Sequence, residues 1–417
     1  MNKQTVVVIG GGAAGLMAAG QAATAGSRVI ILEKMKRPGR KICISGKGRC
    51  NLTNSAPVEE FIEHFGKNGR FLRQAFSRFF APELVDFFER NGLPVSLERG
   101  GRYFPTNGKA PDIVKVFLAW LSNLHVEIQD NNPVKTLSVE NNTITGVITK
   151  RGEISCDAVI LATGGASYPA TGSTGDGYKL VETLGHTIVP IRPALVPLEI
   201  HGGIHPALAG LELRNIEAIL FINGKKKRQL FGELHFKKFG VSGPTILTLS
   251  GDAVDGLRAG KKVELLIDLK AALNRQKLDA RLIRDFEKRH KEPFADVLRG
   301  LLPAQMVPLC LEQTQIPADK VAGGISKKER RTLLNWLKGL RLEVTRHRSF
   351  KEAIVTAGGV NLKEVNPRTM ESKIVSGLYL AGELLDLNGN TGGYNLQAAF
   401  STGWLAGWSV GEKGKSL

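Results

Sequence analysis

The chain has 417 residues, 42% hydrophobic and 23% charged, a balance that excludes a disordered polymer and, at roughly 100–200 residues per domain, a single ordinary core. No apolar run reaches the roughly 20 residues of a membrane span, the first one (Val6–Ile9) is too short for a signal peptide, and Cys43, Cys50, Cys156 and Cys310 are too few and too irregular for a disulfide framework or a zinc site. A reduced, cytoplasmic protein with no metal site is expected, and its net charge of +18 suits a polyanionic partner through phosphate neutralisation and counterion release, although solubility alone can also set such a charge.

Thr5–Ile9 is a short β-branched run of the kind that forms a buried parallel strand. Gly10-Gly11-Gly12-Ala13-Ala14-Gly15 follows, then an Ala-rich helix to about Ala25, then a second strand, Val29–Leu32, ending at Glu33. This is a βαβ unit with the G-x-G-x-x-G fingerprint. Gly10 permits the tight turn, Gly12 lets the backbone approach a pyrophosphate, and Gly15 lets helix and strand pack closely. Free N–H groups at the helix start bind phosphate. Glu33 stands where a carboxylate bonds ribose hydroxyls, about 20 residues on. A Gly-rich turn without a ligand explains neither the spacing nor the acid.

The fingerprint alone does not separate FAD from NAD; three later features favour FAD. After Glu33 the chain enters a polar, Gly-rich stretch, Arg37–Lys41 and Ser45–Asn51, rather than a further βαβ repeat. Ala158–Leu161 is a strand running into Ala162-Thr163-Gly164-Gly165, a close backbone turn beside a cofactor. Gly377–Glu383 is another strand ending in Ala-Gly-Glu, followed by Gly392-Gly-Tyr-Asn-Leu-Gln-Ala398 and a helix to about Val410. The cofactor domain is therefore expected from both chain ends, and the N–H groups of the last helix are placed to face the flavin pyrimidine ring and favour its anionic reduced form. Gly172–Gly177 has the wrong spacing for a second fingerprint, so no dedicated NAD(P)H domain is expected. NAD(P)H remains a transient, small-molecule reductant.

Between these ends the texture changes. Leu195–Ile200, Leu211–Leu220 and Lys262–Leu269 read as strands, and Asn223-Gly224 as a hairpin turn followed by Lys225-Lys-Lys-Arg228. The basic turn is either a solvated tip or an RNA-facing loop. From about Ala271 to Arg341 the period is helical, with Ser326 and Glu329 as an N-cap pair. The expected boundaries are 1–193 with 345–417 for the cofactor domain, 194–270 for a β-rich insertion and 271–344 for a small helical one.

Several blocks carry a family resemblance. Gly39-Arg-Lys-Ile-Cys-Ile-Ser-Gly-Lys-Gly-Arg-Cys-Asn-Leu-Thr-Asn54 resembles the signature of the YhiN/BaiN-type flavoproteins. Gly101–Pro105 with Lys109-Ala110, Gly232–Phe236 with Gly240–Pro244, Thr356–Val360 and Gly392–Ala398 look like its further blocks, so the resemblance covers essentially the whole chain. It departs from the family at Lys47, which interrupts a run of glycines. The resemblance implies an α/β fold: a glutathione-reductase-type FAD-binding Rossmann domain interrupted by a β-rich and a small helical domain. It implies cofactor contacts at Gly10, Gly12, Ala13, Ala14, Gly15, Glu33 and Lys34. It extends them to Arg40, Lys41, Ser45, Gly46, Arg49, Cys50 and Asn51, then to Val134, Thr163, Gly164 and Gly165. From the C-terminal end it adds Gly382, Glu383, Asp386, Gly392, Gly393, Tyr394, Asn395 and Leu396.

It also implies reduction of a carbon–carbon double bond, since members are linked to reducing a conjugated steroid alkene and to making dihydrouridine in large-subunit ribosomal RNA. With the +18 charge, ribosomal RNA is the leading substrate expectation. A small unsaturated metabolite such as an enone is the alternative, and a non-catalytic, flavin-containing ribosome-associated factor is a third reading. An alkene reductase needs an acid to protonate the second carbon, and the candidates are Cys50, Tyr394 and His235. Against these roles stand a buried structural cysteine at 50 and a core histidine at 235. Nothing in the sequence bears on the oligomeric state.

Overall fold

The computed structural model describes residues 3–415. Two compact units emerge, one of residues 1–193 and 353–417, the other of 194–352, each with its own hydrophobic core.

In the first unit, five short strands form an all-parallel sheet in the order Leu378–Leu380, Ala158–Leu161, Thr5–Ile9, Arg28–Leu32, Glu127–Gln129. The central strands are buried along nearly their whole length, as expected of a sheet covered on both faces. A three-stranded antiparallel meander, Val134–Glu140, Thr143–Thr149 and Gly152–Ser155, interrupts the chain just before it returns to the parallel sheet.

The helix Ala13–Thr24 packs against the C-terminal helix, Tyr394–Lys415, along a track of small residues. A Cβ on Gly403 would sit 2.2 Å from the carbonyl oxygen of Ala14, and one on Gly407 would sit 2.2 Å from that of Ala18. The two backbones therefore touch, and only glycine permits it. This contact holds the two ends of the chain together under the sheet's carboxyl edge, where open α/β sheets bind their ligands.

In the second unit, six antiparallel strands close a barrel in the order Leu198–Ile200, Gly240–Ser242, Lys225–Lys237, Glu212–Ile222, Val263–Asp268, Leu340–His347. Asn223 and Gly224 turn the long hairpin with φ of 49° and 73°, the two left-handed residues of a type I′ turn. The helices Arg275–Lys288, Phe294–Leu298, Val307–Thr314 and Lys327–Leu337 follow. Ser326 caps the last of them, and Glu329 returns the bond to the Ser326 N–H at 2.7 Å.

Packing draws the boundaries of this insertion differently from composition. Leu278, Leu282, Leu333 and Leu337 of the helices share one core with Leu220, Leu265 and Ile267 of the barrel, so the helical segment is part of the barrel unit. A cut at residue 345 would fall inside the strand that closes the barrel.

Candidate functional site

The first turn of Ala13–Thr24 is built as the fingerprint requires. Gly10 has φ of 102°, and a Cβ there would meet the Ala162 carbonyl at 2.6 Å. A Cβ on Gly15 would lie 1.9 Å from the Gly10 carbonyl oxygen. Around Gly12 there is nothing within 4 Å of a built Cβ, and no side chain caps the helix it begins. Crowding at Gly10 and Gly15 with open space at Gly12 leaves uncapped N–H groups, including those of Ala13 and Ala14, facing a gap. That is an anion site of the right kind.

Glu33 ends the second strand and closes one side of this gap. Its carboxylate accepts from the Gly11 N–H and the Met35 N–H, both at 2.8 Å. Burial pushes its pKa up, against the lowering effect of those two bonds. The carbonyl of Glu33 accepts from the Asn132 N–H at 3.0 Å, which brings Val134 to the same end of the site. Lys34 donates at 2.7 Å to Thr174 and to Asp176, tying this strand end to the Gly172–Gly177 loop. Thr174 and Asp176 were not legible as partners of Lys34, because the loop fits no dinucleotide spacing. The signal lay in the short Thr-Gly-Asp-Gly run that enters the helix Asp176–Glu182.

Glu383 is the hub of the second half. It accepts from Lys41 at 2.6 Å, from the Ser167 hydroxyl at 2.7 Å and from the Thr356 N–H at 2.7 Å. Thr356 in turn accepts from the N–H groups of Ala166 and Ser167 at 2.8 and 3.1 Å. One carboxylate thus clamps the turn after Ala158–Leu161, the helix Arg40–Ile44 and two C-terminal segments. The loop it shapes includes Gly164 (φ 73°) and Thr163, whose hydroxyl is buried with no partner among the described residues. Gly382 has φ of 75°, donates to Thr402 at 3.0 Å and lies against Ala14.

Arg40, Lys41 and Arg49, three of the expected cofactor contacts, each have a partner within the protein. Lys41 is consumed by Glu383. Arg40 donates to the Ala170 carbonyl at 3.2 Å. Arg49 pairs with Glu98 and stacks 4.5 Å over the Phe104 ring. The signature also supplies shape. Gly46 and Lys47 both take left-handed backbone, with φ of 56° and 57°, so Lys47 adopts a conformation that glycine holds at no cost. Ser45 donates back to the Ile42 carbonyl at 2.7 Å. Asn51 ends this turn with its side-chain carbonyl buried and without a partner among the described residues.

The three candidate acids are placed very differently. Cys50 is fully buried, and burial pushes its thiol up to about 12, an environment that suits a structural cysteine better than a proton donor. His235 belongs to the 194–352 unit, on a barrel strand, with Glu212 and Glu233 within 3.9 Å. Tyr394 begins the C-terminal helix. Its ring stacks on His64 at 3.7 Å and meets Phe61 edge-on at 4.7 Å, and burial raises its hydroxyl to about 12.

The turn into the C-terminal helix is locked from several sides. Asn395 accepts from the Gly389 N–H at 2.8 Å and donates to the carbonyls of Gly389 and Asn390. Asn54 donates to the Gly392 carbonyl at 3.0 Å, and a Cβ on Gly393 would strike the Thr53 carbonyl at 2.5 Å. Leu396, half-buried, packs against the core of this unit. Asp386 accepts from the Asn68 amide at 2.9 Å. Asn390 and His64 meet at 2.8 Å through the Asn390 amide and His64 Nδ1. His64 and Asn390 thus stand beside the expected contact residue Tyr394 and were not singled out in the sequence, since a lone histidine in a Phe-rich helical stretch carries no motif.

A buried carboxylate at the second strand end, an open Gly12, uncapped helix N–H groups and two buried polar atoms without partners together fit a dinucleotide. Comparison with known proteins agrees. The family model described as "HI0933-like protein Rossmann domain" matches residues 4–409. The chain is 34% identical over 415 residues to the 3-dehydro-bile acid delta(4,6)-reductase of Clostridium scindens, covering 97% of this chain and 98% of that one. It is 30% identical over 409 residues to the ribosomal RNA dihydrouridine synthase of Escherichia coli, covering 97% of each. Among solved structures, a variant of Escherichia coli quinol fumarate reductase aligns with a TM-score of 0.52 at 18% identity, covering all of this chain and 71% of that one, a likeness of fold. With a match over nearly its whole length, the chain belongs to the HI0933-like Rossmann family.

Proposed function

We propose that this protein is an FAD-dependent oxidoreductase that reduces an activated carbon–carbon double bond, and that its substrate is uridine in large-subunit ribosomal RNA. The observation that carries the cofactor assignment is the gap over Gly12, left open while Gly10 and Gly15 are filled by backbone. Two relatives, named as a bile acid reductase and a dihydrouridine synthase, support the reaction class. The +18 charge favours the polyanionic substrate over the neutral one.

When bound, FAD supplies the hydride through its N5 position. The chain's own groups have separate tasks. The N–H groups after Gly12 hold the pyrophosphate, and the remaining lone pairs of Glu33 accept from the ribose hydroxyls. The N-terminal end of the C-terminal helix presents partial positive charge to an anionic ring system. Tyr394 carries its proton at neutral pH as any tyrosine does, burial raising its hydroxyl further to about 12, and it is the candidate donor to the second carbon. His64, stacked on it at 3.7 Å, positions the ring. NAD(P)H is the proposed reductant, visiting the site transiently.

A reductase of a small enone or steroid is the second reading, and the 34% identity to the bile acid reductase is what favours it. Mass spectrometry of ribosomal RNA from a deletion strain and its complemented counterpart decides. Loss of dihydrouridine on deletion and its return with the gene establish the RNA reading; an unchanged dihydrouridine content overturns it and turns attention to enones assayed against the reduced protein.

A further inference from the structure

The positive charge is not spread evenly. Residues 194–352 carry 29 Lys and Arg against 18 Asp and Glu, a net +11 of the chain's +18. Within that unit, cations gather at the tip of the long hairpin formed by Glu212–Ile222 and Lys225–Lys237. Lys225, Lys226 and Lys227 are all exposed. A cleft of about 350 Å³ opens beside the tip, lined by these three lysines and Lys261, with Asp252 and Asp255 among its walls.

The acids do not cancel the bases. Asp252 stands 3.9 Å from both Lys227 and Arg228, at the outer limit of an ion pair. Among the described residues no salt bridge reaches Lys225, Lys226 or Lys261, and Lys226 meets only the side chain of Gln229. Four consecutive cations around a two-residue turn repel one another, a cost that solubility does not require and that an anion removes.

An aromatic ring accompanies the charge. Phe231 is 62% exposed, the largest exposure among the big apolar side chains described. It projects from the solvent face of the same strand, opposite Glu217, while its neighbours Leu234 and Phe236 are buried. At about 3.4 Å per residue, Lys225 and Phe231 lie roughly 20 Å apart along the strand, a few nucleotides of extended backbone. Lysines that track phosphates, with an aromatic platform for a base, are the chemistry of single-stranded nucleic acid binding.

We infer that this hairpin is a docking surface for single-stranded RNA, with phosphates neutralised by Lys225, Lys226, Lys227 and Lys261 and a base stacked on Phe231. The inference rests on the ribosomal RNA reading above. The strands stay paired up to the type I′ turn, Ile222 with Lys225 and Phe221 with Lys226, and a register shift between Leu220 and Phe221 leaves Lys227 as the extra residue of the cationic strand.

The test is binding of a fluorescein-labelled 20-nucleotide oligouridine to the full-length, FAD-loaded protein, by anisotropy across a salt series. Lys225→Gln/Lys226→Gln/Lys227→Gln is expected to weaken binding at least tenfold near 0.1 M salt. It is expected to reduce the log–log salt slope by roughly 2, at about 0.7 per phosphate contact on a single strand. Phe231→Ala is expected to weaken binding about tenfold with the slope unchanged, since stacking releases no counterions. Lys150→Gln/Lys179→Gln/Lys363→Gln, with the same charge change on the other unit, is the control. Wild-type affinity and slope in the hairpin triple variant, or an equal loss in the control, overturn the inference. Dihydrouridine in ribosomal RNA, measured in a deletion strain complemented with each variant, separates the two readings. If the wild-type gene restores it and the hairpin variants bind and restore it fully, the surface is wrong and the substrate reading stands. If the wild-type gene does not restore it but the hairpin variants lose oligouridine affinity, the substrate reading is wrong and the surface stands.

Discussion

Two glycines three residues apart make opposite predictions. At Gly12, φ is −86° and ψ −169°, ordinary extended backbone, and a Cβ meets nothing within 4 Å. Gly12→Ala is therefore expected to leave the melting temperature of the apoprotein unchanged or slightly raised, by the roughly 0.4–1 kcal/mol that Gly→Ala contributes through the unfolded chain. It is expected to lower FAD retention at least tenfold, read from flavin absorbance after gel filtration. Gly15→Ala places a methyl 1.9 Å from the Gly10 carbonyl, so the protein itself is expected to fail. If both variants retain flavin alike, the gap at Gly12 is not the pyrophosphate site. The candidate acids divide in the same way. Cys50→Ala is expected to keep at least half the wild-type turnover, since the thiol is fully buried, whereas Tyr394→Phe is expected to lose on the order of 10²–10⁴-fold in kcat with flavin binding intact. Turnover of Tyr394→Phe near that of wild type would remove it as the donor. The tight turn of the fingerprint glycines beside Glu33 was legible because its spacing is local. The fate of Lys41 was not, because its partner Glu383 lies 342 residues away and only the fold brings the two together.

At the scale of elements, the contact between Ala13–Thr24 and the C-terminal helix decides whether the site exists, since one helix offers its start to the pyrophosphate and the other begins at Tyr394. Both helices were visible in the sequence, one from its Ala content and the other from the Gly-Gly pair before it. Their pairing was not, because Gly403 and Gly407 look like helix-weakening residues when read one at a time. Their value appears only against the Ala14 and Ala18 carbonyls, each 2.2 Å from a built Cβ. Gly407→Val should then separate two backbones that cannot yield. A loss above about 3 kcal/mol is expected, beyond the usual 1–3 of overpacking, read from urea unfolding, with flavin lost in parallel. Gly414→Ala is the comparison: near the helix end, its Cβ meets the side chain of Gln4, which can move aside. A small, equal effect at both positions would show that the helices have room to part. The hairpin, by contrast, was read correctly from Asn223-Gly224 alone, because a type I′ turn is chemistry of two adjacent residues.

For the whole molecule, the separation into two cores has a thermodynamic consequence. The residues proposed to hold FAD come from 3–193 and 353–415, and among the described residues the hydrogen-bond partners of the Glu33 and Glu383 carboxylates all lie in that unit. The inserted unit has its own closed barrel and its own buried set, from Leu198 to Val344. A ligand stabilises only the cooperative unit that binds it, by about 2.7 kcal/mol at a hundredfold excess over its Kd. Scanning calorimetry is therefore expected to show two transitions, of which FAD raises one and leaves the other in place. The transition that moves must be the one lost when the chain is cut before the C-terminal helix, because that cut removes Tyr394 and the Gly403 and Gly407 contacts together. One transition that rises as a whole on adding FAD would mean that the two cores unfold as a single unit, and the insertion would then have to be treated as part of the cofactor domain's stability rather than as a separately folded carrier of charge.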